Sequence, residues 1–222
     1  MFAVHFRTRL VIAALAVAAA LAAVGPIRAG PMGFADSWMA MGEASEDWRE
    51  GWVNYAVTGR DAIGAGALFM RSDNGVRERE FVEATYTRRL LRINAPHAQT
   101  NLWLLAGAGP LRGNDFRGTR TMVSPGVQFD WETRRLYAAA RARAYRADGI
   151  NHDYAAVLGG FSFYDVDYHQ IQPWLVLEAR RMRGLSDGVE TTALARFIHR
   201  RWFIEVGINQ DRKARLNAMF IL

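Results

Sequence analysis

Apolar and polar residues alternate with a period of two along most of this chain. In Trp52 to Thr58, Val53, Tyr55 and Val57 share one face, and Asn54 and Thr58 share the other. Val82, Ala84, Tyr86 and Leu90 alternate with Glu83, Thr85, Thr87 and Arg89, and Val127, Phe129 and Trp131 alternate with Gln128, Asp130 and Glu132. A helical period would leave no continuous apolar stripe, whereas strict alternation is the signature of half-buried strands. Breaking the pattern at turn-forming residues predicts about twelve strands, near 36–44, 48–58, 62–71, 79–93, 99–109, 119–132, 134–146, 152–164, 168–181, 189–199, 201–209 and 214–222. Several exceed the usual five or six residues of globular strands and match the roughly 9–11 needed to cross a bilayer at a tilt.

The first 29 residues have a different pattern. A basic start at Arg7 and Arg9 precedes an apolar run from Leu10 to Val24, then a small-residue exit through Gly25, Ala29 and Gly30. This is the order of a secretory signal peptide cleaved after Ala29, leaving residues 30–222 as the mature domain. The run is shorter than the roughly 20 residues of a spanning helix.

The connections point the same way. With a periplasmic N-terminus, short periplasmic turns are expected at Gly59–Asp61, Asn94–Ala98, Thr133, Asp165–Asp167 and His199–Arg201, with longer external loops between them, as in outer-membrane barrels. The last strand alternates to the terminus, with Leu216, Ala218, Phe220 and Leu222 on one face. This ending resembles the C-terminal assembly signal of Gram-negative outer-membrane β-barrel proteins. The resemblance implies an all-β fold: a closed antiparallel transmembrane barrel of about twelve strands, ten being the alternative, delivered by the barrel-assembly machinery and surrounded by outer-membrane lipid and lipopolysaccharide. The aromatic residues near strand ends, among them Trp48, Trp103, Trp174 and Trp202, are expected at the membrane interface.

Composition narrows the function classes. Lys and Arg number 28 against 22 acidic residues, a formal charge of +6; losing Arg7, Arg9 and Arg28 with the signal brings this to about +3, too little to suggest a nucleic-acid partner. There is no cysteine, so no disulfide framework and no thiolate chemistry. Lys213 is the sole lysine.

Three readings of function follow. The polar strand faces carry Glu83, Arg89, Asp130, Glu132, Arg141, Arg143, Glu178, Arg180, Arg196, Glu205 and Arg215, candidates for lining a polar lumen with a transport-related or structural role. The alternative is a copper-associated envelope protein using Met39, Met41, Met70 and Met219, thioethers being soft ligands that suit Cu(I). A lipid-modifying enzyme would need a serine, Ser124 or Ser162, beside one of the scattered histidines His97, His152, His169 and His199; neither serine lies in a nucleophile motif, so no catalytic residue is assigned.

Overall fold

The computed structural model describes residues 30–167 and 169–222; the expected signal peptide, residues 1–29, lies outside them. Thirteen strand segments run in chain order: β1 (Trp38–Ala44), β2 (Trp48–Ala56), β3 (Asp61–Arg71), β4 (Glu78–Ala95), β5 (Ala98–Gly113), β6 (Arg120–Val123), β7 (Gly126–Thr133), β8 (Leu136–Ala147), β9 (Ile150–Ser162), β10 (Gln172–Arg183), β11 (Val189–His199), β12 (Trp202–Asn209) and β13 (Ala214–Ile221). Apart from β6 and β7, which share the neighbours β5 and β8, each pairs antiparallel with its chain neighbours, and β1 pairs with β13 from Met39↔Ile221 to Ala44↔Leu216. The sheet is therefore closed, which removes both edges and their unpaired backbone groups.

β6 and β7 are one stave of the barrel. Both pair with β5 and both with β8. The interruption falls at Ser124-Pro125 because proline has no N–H to give the ladder; Ser124 N to Gly107 O and Ala144 N to Pro125 O, each 2.8 Å, carry the pairing across the gap. Counted this way the barrel has twelve staves, in place and nearly in length as the alternation predicts.

The connections differ from expectation in three places. β4 continues to Ala95 and β5 begins at Ala98, so Asn94–Ala98 shrinks to a turn of Pro96 and His97. The connection between β8 and β9, expected to be one of the longer external loops, is a tight turn at Asp148-Gly149, with Gly149 at φ +65°, a conformation that glycine adopts without a Cβ penalty. The short periplasmic turn expected at Asp165–Asp167 is the longest connection, 163–171, and lies on the rim where β1 begins and β13 ends, the terminal rim.

Charged and polar side chains are buried in the middle of the molecule, and the outer wall is apolar. Val53, Ile63, Val82, Val127, Val157, Leu177, Val206 and Leu216 are exposed on the outer wall, while Glu43, Asn54, Glu83, Asp130, Glu178, Arg180, Arg196, Glu205 and Arg215 are buried within. Water would drive the opposite arrangement; a bilayer around the wall drives this one. No helix among the described residues is long and apolar enough to cross a membrane, and the strands do the crossing. Aromatic pairs mark the outer wall near the terminal rim: Trp38 with Tyr55 (ring centroids 5.1 Å), Trp202 with Phe220 (4.3 Å) and Phe161 with Phe163 (4.8 Å). Trp48, Trp103 and Trp174 are a correction: expected at the interface, they are buried because their parity along the strand turns them into the lumen.

One bulge matters for the lumen. The β4–β5 register shifts between Arg89 and Leu91, so Leu90 and Leu91 are both exposed. An extra residue flips the alternation beyond it, and Arg89 and Arg92 consequently line the same cavity at the terminal rim.

Candidate functional site: the barrel lumen

The lumen is built in three layers. At the terminal rim the chain preceding β1 folds into the mouth. Pro31 O accepts a 2.9 Å hydrogen bond from the buried Asn54 Nδ2, and Met32 packs with Ala56, Ala62 and Trp103. Trp103 Nε1 donates to Asp130 (2.7 Å), whose other oxygen accepts from Asn101 Nδ2 (2.6 Å). Gly30 lines both the central cavity and the cavity at this mouth, so residues 30–37 separate the two.

The middle layer is ionic. Glu43 on β1 accepts from Arg180 on β10 (2.6 Å) and lies 3.1 Å from Arg215 Nε on β13. Arg180 also reaches Glu190 (3.0 Å), and Arg215 reaches Glu178. Arg196 and Glu205, cross-strand neighbours on β11 and β12, pair at 2.7 Å, and Asn217 donates to the second Glu205 oxygen at 3.0 Å. The Arg196 guanidinium lies over the rings of Tyr137 (4.2 Å) and Phe203 (4.9 Å). Arg143 on β8 binds Glu83 on β4 (2.7 Å) and reaches Glu50 on β2, nearly the opposite wall, at 3.4 Å. Ser124 Oγ completes this group with a 2.5 Å bond to Glu83. A Cβ at Gly107 would collide with both Glu83 and Ser124, which is why that wall position is glycine. Around these pairs lies a cavity of about 110 Å³ lined by Glu50, Glu83, Arg141, Arg143 and Tyr137 among others.

The third layer, at the far end, is apolar. Trp48, Leu68, Met70, Phe81, Leu111, Met122, Tyr145, Ile150, Tyr154, Met182 and Leu185 form one buried cluster. Trp48 meets Tyr145 and Tyr154 from the opposite side (centroids 6.1 and 5.5 Å). Loops tie down over it. Arg79 donates to both oxygens of Asp115 (3.2 and 2.5 Å), and this hydrogen-bonded guanidinium holds the Asp115 carboxyl below its ordinary range. Lys213 bonds Asp47 at 2.8 Å, which raises its ammonium above the usual value.

Of the residues singled out from sequence, Glu83, Asp130, Glu178, Arg180, Arg196, Glu205 and Arg215 are buried in the lumen, Arg141 and Arg143 line the central cavity, and Arg89 lines the cavity at the terminal rim. Glu132 is half-buried at the end of β7. The four methionines do not form one group: Met39, Met41 and Met219 pack with Phe203 near the terminal rim, whereas Met70 belongs to the far cluster. The barrel's tilt and length separate them, although β1 adjoins both β2 and β13. Neither serine meets a histidine. Ser124 is bonded to Glu83 and Arg143, and Ser162 Oγ donates to the Tyr164 and Pro173 carbonyls. Missed from sequence were Glu43, Glu50, Arg79 and Asn101. Glu43 was within reach, since it shares the face of Met39 and Met41 on the same strand.

No family model matches the chain, and no curated protein matches it. Among solved structures it is similar to a "KdgM porin", at 12% identity and a TM-score of 0.47, covering 83% of this chain and 97% of that one. A "KdgM porin in complex with disordered oligogalacturonate" gives 13% identity, the same coverage and the same TM-score.

Proposed function

We propose that the chain is an exported outer-membrane barrel, processed after Ala29, whose lumen is a narrow transport path for small polar or charged solutes and is closed at rest. The terminal rim is periplasmic in this reading and the far rim faces outward, amid lipopolysaccharide. The observation that carries it is the cross-lumen pairing of Arg143 with Glu50 and Glu83 around a polar cavity. These contacts are made by side chains, which exchange partners by rotamer changes without disturbing the wall ladder. Both signs of charge line the path, so selection between anions and cations is weak. Two closures limit it: residues 30–37 at the terminal mouth and the apolar cluster at the other.

Planar-bilayer conductance of the refolded mature chain and of a variant lacking residues 30–36 tests the reading. Small conductance steps are expected from the mature chain and larger ones from the shortened variant. Silence from both at every salt concentration, with heat-modifiable migration retained, would leave a purely structural barrel.

A further inference from the structure

We propose a soft-metal site in the far apolar layer, formed by His152 and Met182, taking Cu(I) or its analogue Ag(I). This proposal is independent of the transport reading. It begins with His152, which is 1% exposed and has no hydrogen-bond partner at either ring nitrogen among the described residues. Buried polar groups are nearly always satisfied, and one that is not calls for an explanation such as an ion. The ring stacks on Tyr145 (centroids 4.6 Å, planes 17° apart), and a Cβ at Gly184 would crowd the His152 Cβ at 3.1 Å.

The neighbouring heteroatoms are sulfur. Arg183 pairs with Asp153 and Met182 with Tyr154 across β10 and β9, so Met182 is the diagonal same-face neighbour of His152, within reach of a long side chain. Val123 pairs with Arg146, which places Met122 diagonal to Tyr145, on the side of that ring away from the strand of His152. Met70, Met122 and Met182 all belong to the cluster that includes Tyr145. Methionine has three rotatable side-chain bonds and adapts readily, so its sulfur can turn to a bound ion without moving the wall.

The donor set selects the ion class. Imidazole and thioethers are neutral and soft, which suits Cu(I) over harder divalent ions. Asp153 faces the other way, paired with Arg146 and Arg183, and Arg79 is neutralised by Asp115. No carboxylate in the cluster favours a divalent cation. Leu185 and the linked loops 72–77 and 184–188 cover the site, joined through Asp73 N to Leu185 O (3.3 Å) and Asp187 N to Asp73 Oδ2 (3.2 Å).

Titration of the refolded protein with Cu(I), under reducing conditions against a competing chelator, tests the site. One equivalent is expected to bind, with Ag(I) competing. Met182→Leu keeps the volume, and His152→Phe keeps the stack on Tyr145; each is expected to weaken binding at least tenfold. Met39→Leu and Met219→Leu are expected to leave it unchanged. Absence of binding by the unaltered protein overturns the proposal, as does full affinity in Met182→Leu or a loss that follows Met39 and Met219 instead. Heat-modifiable migration reports folding of each variant, and Met182→Leu decides if His152→Phe does not fold.

Discussion

Replacing Arg196 with methionine removes one half of a buried ion pair and measures how dry the lumen is. Arg196 and Glu205 lie opposite one another on adjacent strands, 2.7 Å apart, with each side chain only 3% exposed. For unit charges about 4 Å apart at an effective dielectric near 20, the attraction is about 4 kcal/mol, opposed by a desolvation penalty of several kcal/mol per ion. The pair therefore contributes little net, but breaking it strands a charge. In Arg196→Met, Glu205 keeps only Asn217 as a donor, and the loss expected is about 3–5 kcal/mol. In Glu205→Gln the guanidinium keeps the rings of Tyr137 and Phe203, worth about 2 kcal/mol when desolvated, so the loss is smaller, about 2–3 kcal/mol. The double variant has no stranded charge and is expected to be no worse than Glu205→Gln, a coupling at least as large as the Arg196→Met loss, about 3–5 kcal/mol. Urea unfolding in lipid vesicles, followed by tryptophan fluorescence, gives all four stabilities. Single losses below about 1 kcal/mol that simply add would match solvent-exposed pairs and refute the occluded, ion-paired lumen.

The outer wall and the far rim give two further tests. Leu177 is 63% exposed in the middle of β10, opposite Gly159 and Ala193, so Leu177→Arg is expected to cost about 2–4 kcal/mol in vesicles, as for a lipid-facing site near the midplane; a negligible cost would argue against a bilayer around the wall. Because the Arg79 hydrogen bond holds the folded-state Asp115 value below 3.8, its stabilisation is complete above that pH and disappears as pH falls through the lowered value. Amide protection in loop 114–119, measured against the intrinsic exchange rate at each pH, is expected to fall over that acid window, and Asp115→Asn to show the low protection already at neutral pH; parallel pH profiles for the two proteins would refute the clasp.

The strand pattern was legible because each β-strand obeys a local rule: side chains alternate, and a wall between lipid and lumen makes every second residue apolar. Leu177 and Glu178, or Val206 and Glu205, reveal their faces to anyone counting by two. Parity also places Arg196 and Glu205 inside. It does not reveal their partners. Arg180 meets Glu43 across 137 positions of chain, and Arg143 meets Glu50 across 93, pairings fixed by closure and by the offset accumulated from strand to strand. The bulge at Leu90 and the break at Ser124-Pro125 alter that offset by single residues, below the resolution of a periodicity argument. The methionines show the same divide. Expected strand adjacency groups Met70 with Met39, Met41 and Met219, but position along the barrel axis groups it with Met122, Met182 and Tyr145. Alternation along a strand is local and determines which side of the wall a residue occupies; height and angle around the barrel depend on every strand between, and only the folded barrel decides them.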